Sequence, residues 1–421
     1  MQRFDDGRDW FFARRFGMFA HWGLYAIPAW HEQSQWRQGV PRAEYEPLMH
    51  QFNPVDFDPE AWLDLLQEAG MEYLCITTKH HDGFCLWDTH YTDFNVMHSP
   101  YGRDIVGMLA QACQRRGVPL CLYYSVVDWH HPNYPNQRRH HELSGPVEGG
   151  DPDWDKYMAF LQGQVRELCT NYGEIHGFWW DMNVPGHRDL AVNAMIRALQ
   201  PKAVINDRGF DAGDFTTPER RVPEGRRFTT PTEACQSLGR ESWGYRHDED
   251  YFARKYLLQS IDKIRAMGGN YLLNVGPRAD GTIPDEQRVL LRSIGAWYQA
   301  VREAFDGVES ASSLTTNEEV LLTRNGNTLY LHLYEDSPGH AVMLEPLMVR
   351  PRAATLLNTG LALEAQVELT PASWKRQWDQ GRRGAEIQAY LRISGLPVDR
   401  LTDTVMIAKL EFDDLSRVTS Q

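Results

Sequence analysis

Two hydrophobic periods alternate along the larger, N-terminal part of the chain. Residues 59–69 carry the helical one: Asp58 stands at the N-cap, Pro59 opens the first turn, Trp62, Leu65, Leu66 and Ala69 recur at i, i+3, i+4 and i+7, and Gly70 stops the stretch. The run that follows, 73–78, is short, apolar and bounded, which predicts a strand buried on both faces of a parallel sheet. The unit then repeats. Asp104 caps a helix with Ile105, Met108, Leu109 and Ala112 on one side, Gly117 ends it, and 120–125 makes the next strand. A helix near 154–171 leads into a strand over 175–181, and one near 189–199 into 203–207. Regularity fails between 209 and 250, where Gly, Pro and Arg crowd the chain. It resumes with a helix near 251–266, the run 271–275, and a helix over 285–304 bearing Leu290, Ile294 and Trp297 on one face. After Gly307 the period drops to two: 320–324, an Asn325-Gly326 turn and 328–334 read as a β-hairpin, with further short strands near 341–349, 354–357, 386–394 and 403–412.

Strands alternating with amphipathic helices imply right-handed βαβ units and a parallel sheet, either doubly wound or closed. No G-x-G-x-x-G or G-x-x-x-x-G-K-[ST] follows any strand, which weakens the dinucleotide and P-loop options. Polar chemistry recurs instead at strand ends: His21, then His80 and His81, then Tyr123 and Asp128, then Asp181, then Asp207 and Arg208. Active sites of (β/α)8 barrels form there. The expected fold is therefore α/β, a (β/α)8-like TIM barrel over residues 1–310, imperfect at about seven recognisable strands. A C-terminal all-β sandwich over 311–421 follows it.

Charge and composition narrow the function. Of 421 residues, 43 are Lys or Arg and 57 Asp or Glu, a formal net charge of -14 that repels a polyanion; no basic block reverses it, so nucleic acid is excluded. No apolar run of about 18 residues exists, so no membrane partner is expected. The six Cys are scattered without C-x-x-C pairs, several inside apolar runs, and read as buried free thiols. With a charged N-terminus lacking an apolar h-region, that points to a cytoplasmic location, although a leader already removed would leave no trace. Fourteen Trp and 16 His exceed ordinary use; they suit a pocket for a polyhydroxylated ligand, or plain core filling.

Asp181 closes the apolar run Gly177-Phe178-Trp179-Trp180, where a carboxylate is costly unless hydrogen-bonded or useful; a cap for the following loop is the plainer alternative. Glu219 lies in the irregular segment, with Glu233 a reserve in the same stretch. A strand-end carboxylate paired with a loop carboxylate is the layout glycoside hydrolysis needs. His80 and His81 are adjacent, so one of them faces away unless the strand bends; His130 and His131 carry the same ambiguity. None of these histidines has H-x-H or H-E-x-x-H spacing, so no metal is assigned, and no G-x-S-x-G elbow supports a serine hydrolase.

Several longer motifs stand in one order. They are Arg15-Phe16-Gly17-Met18-Phe19-Ala20-His21-Trp22-Gly23-Leu24-Tyr25, Phe52-Asn53-Pro54, Thr77-Thr78-Lys79-His80-His81-Asp82-Gly83-Phe84-Cys85-Leu86-Trp87, Asn206-Asp207-Arg208, the 213–219 stretch, Ser242-Trp243-Gly244-Tyr245, and the run 268–284 from Gly268-Gly269-Asn270 to Thr282-Ile283-Pro284. On these the chain resembles the α-L-fucosidases of glycoside hydrolase family twenty-nine over essentially its whole length. The resemblance implies a barrel followed by a β-sandwich, and retaining exo-hydrolysis of terminal α-L-fucosides on oligosaccharides or glycoconjugates, with no cofactor or metal. It implies Asp181 as nucleophile and Glu219 as acid/base, with Glu233 in reserve. His21, His80, His81, Tyr123, Trp179, Arg208 and Trp243 match sugar-binding positions. Where many members have Glu-Trp after the first strand, this chain has His31-Glu32-Gln33-Ser34-Gln35-Trp36. Glu32 keeps the carboxylate role there and Trp36 or Trp30 the indole, which leaves room for a related sugar such as α-L-galactose. A catalytically silent fucose-binding barrel and a metallohydrolase are the rival classes. Oligomeric state has no readable signal, and a homo-oligomer is left open.

Overall fold

The computed structural model describes residues 2–181, 189–370 and 388–415. Its first sheet has seven parallel strands: β1 Phe16–Ala20, β2 Tyr73–Lys79, β3 Leu120–Ser125, β4 Gly177–Asp181, β5 Val204–Ile205, β6 Glu233–Ser237 and β7 Asn270–Val275. They are ordered β5-β4-β3-β2-β1-β7-β6. β1, β2, β3 and β7 are buried at every position, which is why they read as continuous apolar runs rather than alternating ones. Between them stand α1 Pro59–Glu68, α2 Ile105–Arg116, α3 Trp154–Thr170, α4 Leu190–Leu199, α5 Arg254–Ala266 and α6 Asp285–Val301. Asp58, Asp104, Asp153 and Asp189 each accept a first-turn backbone N–H with the side chain, and so fix four of these helix starts.

The segment without periodicity turns out to carry barrel structure. β6 lies inside it, and residues 215–219 bridge both open edges of the sheet: Phe215 pairs parallel with Asn206 just past β5, and Thr216 and Glu219 pair with Thr232 and Cys235 on the β6 side. Cys235 N–H donates to the Pro218 carbonyl at 2.9 Å, and Arg220 N–H to that of Cys235 at 3.0 Å. An irregular eighth strand thus laces the barrel shut. Gly213, at φ +66°, lets the chain turn against the Asn206 backbone, where a Cβ would collide.

By contacts the chain forms two compact units: residues 1–221, 230–252 and 270–292 make one, and 222–229, 253–269 and 293–421 the other. In the second, the six-stranded sheet contains β9 Leu321–Asn325, β10 Thr328–Leu333, β12 Ala353–Leu356 and β16 Met406–Glu411, with β8 Glu309–Ser310 and β13 Leu361–Ala362 at its edges. A three-stranded sheet holds β11 Ala341–Leu344, β14 Glu364–Thr370 and β15 Gln388–Ser394. Leu322, Leu331 and Leu410 from one sheet and Leu344, Leu391 and Ile393 from the other share one apolar core, the anatomy of a β-sandwich. The expected strand over 341–349 stops at Leu344. Residues 386 and 387 of the strand expected over 386–394 lie outside the described residues. No helix among the described residues is long and apolar enough to cross a membrane.

Candidate active site

Asp181 is the last residue of β4, at the C-terminal end of the barrel. Tyr123 of β3 donates its hydroxyl to Oδ2 at 2.7 Å, the Arg208 guanidinium donates to Oδ1 at 3.2 Å, and His81 Nε2 stands 3.8 Å away. Burial pushes this carboxyl up, but the Arg208 guanidinium above all, with the Tyr123 hydroxyl and His81 in its protonated form, outweighs it, and Asp181 is held below the ordinary aspartate range. Arg208 lies over the Trp179 ring at 4.6 Å and is anchored by Thr217, whose hydroxyl accepts from Nε at 2.8 Å. Through its other terminal nitrogen it donates to Glu219 Oε2 at 2.8 Å. One guanidinium therefore joins the strand-end carboxylate to the carboxylate on the lacing segment, and Glu219 remains 39% exposed at the rim.

The histidines form the wall beside Asp181. β2 has a register shift between Thr77 and Lys79, and Gly83 (φ +85°) turns the chain immediately after, so His80 and His81 both face the pocket with ring centres 4.0 Å apart. This bend resolves the ambiguity of adjacent residues on a strand. Ser125 Oγ donates to the Val127 carbonyl, so His81 Nδ1–H must be the donor in its 2.7 Å bond to Ser125, leaving Nε2 as an acceptor toward the pocket. His80 stacks on Tyr123, and its Nδ1 has no hydrogen-bond partner among the described residues. Burial depresses His21 to about 4 and His81 to about 3, and His80 well below the ordinary range. All three are neutral at physiological pH, each ring carrying one N–H and one lone pair, and His81 turns its lone pair to the pocket.

Glu32 is fully buried beside them. Its Oε2 accepts from the Ser242 hydroxyl at 2.8 Å and the Trp243 N–H at 2.9 Å, with His31 Nδ1 at 3.2 Å. Burial raises this carboxyl, but His31, His21 and Ser242 bring it below the ordinary value. His21 bonds Asn274 at 2.6 Å and packs against Trp243, whose other neighbour is the Arg220 guanidinium at 4.6 Å.

Of the residues singled out from sequence, His21, Glu32, His80, His81, Tyr123, Trp179, Asp181, Arg208, Glu219 and Trp243 line one pocket. Two do not. Glu233 opens β6, at the N-terminal end of the barrel, where Tyr73 donates to Oε2 at 2.6 Å and Trp179 Nε1 to Oε1 at 3.1 Å. It sits beneath the pocket floor with both oxygens occupied, which removes it as the reserve acid/base. Trp36, on the helical turn Ser34–Arg37, stands one ring behind the wall, edge-on to His141 at 4.9 Å. Trp30 is absent from the lining as well.

Phe19, Gln33, His141 and Cys235 complete the pocket; Phe19 and Gln33 stand inside stretches named from the sequence but without a role of their own there, and His141 and Cys235 stand in none. The doublet His140-His141 was the one available signal, in a loop otherwise unreadable. His130 and Asp128 are committed elsewhere: His130 bonds Glu46 at 2.8 Å, and Asp128 takes the buried Lys79 ammonium at 2.7 Å.

A family model described as Alpha-L-fucosidase matches residues 3–303. The structure is similar to alpha-L-fucosidase isoenzyme 1 from Paenibacillus thiaminolyticus, with TM-score 0.84 and 35% identity over 97% of this chain and 99% of the other. It is also similar, with TM-score 0.78 and 26% identity over 97% of each chain, to an alpha-L-fucosidase from Bacteroides thetaiotaomicron. That structure was solved as a trapped covalent intermediate with 2-fluoro-fucosyl fluoride in a glutamate-to-glutamine mutant. In sequence this chain is 27% identical over 406 residues to tissue alpha-L-fucosidase of Bos taurus, with 86% of this chain and 82% of that protein covered.

Proposed function

Because the chain belongs to the alpha-L-fucosidase family, we propose that it is a glycoside hydrolase that removes terminal α-L-fucose with retention of configuration. The carrying observation is the Asp181, Arg208, Glu219 arrangement: a carboxylate kept ionised at a rigid strand end, and a second, more exposed one reached by the same guanidinium. Asp181 Oδ attacks C1 as the glycosidic C1–O bond breaks, and the leaving oxygen takes its proton from the Glu219 carboxyl. Water then attacks C1, gives its proton to the Glu219 carboxylate, and releases Asp181 from the sugar. Tyr123 and Arg208 hold the nucleophile's two oxygens apart and oriented, which fixes the attack geometry before substrate arrives.

Neutral His21, His80 and His81 together with Glu32 are the mixture of donors and acceptors that sugar hydroxyls require. Phe19, Trp179 and Trp243 offer apolar faces for the C6 methyl of fucose. Proton NMR of an aryl α-L-fucoside digest tests the reading: the α-anomer of fucose should appear first and the β-anomer only by mutarotation. First appearance of the β-anomer would mean inversion, and failure to cleave any α-L-fucoside would remove the proposal altogether.

A further inference from the structure

Next to the pocket, on the far side of its histidine wall, lies a larger groove. The pocket measures about 70 Å³ and the groove about 600 Å³. Two segments contribute to both linings. Gln33 and His141 face the pocket, while Trp36, one helical turn on, and His140 face the groove. His140 and His141 stack at 3.8 Å, and Trp36 meets both rings edge-on at 5.9 and 4.9 Å. The indole displaced from the pocket is thus half-exposed at the groove.

The charge here runs against the rest of the molecule. The chain carries a formal -14, yet Arg42, Arg138 and Arg139 converge on this groove from distant parts of the chain. Glu142 is the carboxylate in its lining, and it is consumed by Arg139, which bonds both its oxygens at 2.6 and 3.0 Å, and by the Tyr134 hydroxyl at 2.7 Å. Arg42 donates to the backbone carbonyls of Trp129, Gly145 and Pro146, so it pins the loop while keeping its charge; Glu46, which acts on it at longer range, is bonded to His130. Arg138 spends Nε on the Ser144 carbonyl at 2.9 Å and, among the described residues, forms no ion pair through its terminal nitrogens. The loop is therefore built and held, and two guanidinium charges at the groove, Arg42 and Arg138, bond no carboxylate among the described residues.

We propose that this groove is a binding site for an anionic sugar residue of the leaving group, one bearing a sulfate ester or a carboxylate. Trp36 supplies the face for the ring and Arg138 the fork for the anion. The proposal rests on the fucosidase reading of the adjoining pocket and adds the substrate class: fucosylated glycans whose neighbouring residue is acidic. The overall negative field makes a neutral glycan the indifferent substrate and an acidic one the substrate that needs this local reversal of sign.

Three matched α-L-fucosides test it, identical but for the aglycone sugar: neutral, sulfated, and carrying a uronic acid. At low salt kcat/KM for at least one anionic substrate should exceed the neutral one by about three- to tenfold, the scale of one exposed charge-assisted contact, and the excess should fade at high salt. Arg138→Gln should abolish the excess and Arg138→Glu invert it, with hydrolysis of a simple aryl fucoside unchanged in both. A preference for the sulfated substrate alone identifies the ester, for the uronate alone the carboxylate, and for both a response to charge. Equal rates on all three, or a preference that survives Arg138→Glu, would overturn the groove assignment while leaving the fucosidase reading intact. No cleavage of any of the three, nor of the aryl fucoside, would instead strike the fucosidase reading itself.

Discussion

Asp181 and Glu233 are both carboxyls inside the barrel, one at the C-terminal end of β4 and one at the N-terminal start of β6, and they are tuned in opposite directions. Burial raises both. At Asp181 it is overcome chiefly by the Arg208 guanidinium, with the Tyr123 phenol adding a hydrogen bond, so the carboxyl stays ionised. At Glu233 the partners are the neutral Tyr73 hydroxyl and the Trp179 indole N–H, which offset only part of the desolvation, and the carboxyl is pushed up to about 7. Trp179 touches both systems, its Nε1 on Glu233 and its ring under Arg208. A hydrogen bond from a neutral donor satisfies a buried carboxyl; keeping it charged takes a cation.

The comparison is broken most severely by removing the ionised carboxylate. Asp181→Asn should lower kcat on an aryl α-L-fucoside by roughly 10⁴-fold or more, read from initial rates with the folded state checked by circular dichroism. An unchanged rate would take the nucleophile role away from Asp181. Glu219→Gln should cost about 10² to 10⁴ on fucosides with poor leaving groups. The loss should be much smaller on an activated aryl fucoside, which departs without a proton, and equal losses on both would argue against acid catalysis by Glu219.

Arg208→Gln removes the cation that separates the two carboxyls. The Asp181 carboxyl should then titrate higher, so the acid limb of the kcat/KM profile should move up in pH by roughly 1 to 3 units. A limb that stays in place would mean that His81 and Tyr123 suffice.

Glu233→Gln keeps an acceptor for the Trp179 indole, turns its amide N–H to the Tyr73 hydroxyl oxygen, and removes the titration. In the folded chain Glu233 holds its proton up to about 7, against 4.5 for an unperturbed glutamate. Between those values the folded state binds more protons than the unfolded one, so this group lowers stability as pH rises. Its cost is absent below about 4.5 and complete above about 7, roughly 3 kcal/mol. Urea midpoints of both proteins at pH 4.5 and pH 8 should show the variant gaining on the parent at the higher pH; a constant difference would place the Glu233 titration elsewhere.

Legibility followed the range of the interactions. Asp58 and Asp104 were readable as caps because a cap bonds its own first turn, and Gly117 as a stop because its φ of +63° is a local demand. β6 and the lacing residues 215–219 were not, since their pairing is with distant edges and a proline interrupts any periodicity. At the site, Asp181 stood out as a charge ending an apolar strand. His141 did not, because its loop is ordered by Arg42, Arg139 and Glu142 rather than by any repeat. Trp36 was assigned to the pocket from its place in the chain, and the helical turn that carries it leaves its ring behind His141.

By itself the sequence determined the alternation of helix and buried strand, the switch to a β-sandwich, and most of the side chains that line the strand-end pocket. All of these depend on which side chains must leave water within one element, or on motifs quoted whole. The tertiary structure alone decided which carboxylate meets Arg208, which lies beneath Trp179, and where three arginines gather on an acidic chain. Electrostatic tuning falls off over a few ångströms through space, and the groups that supply it here are brought together only when the barrel closes.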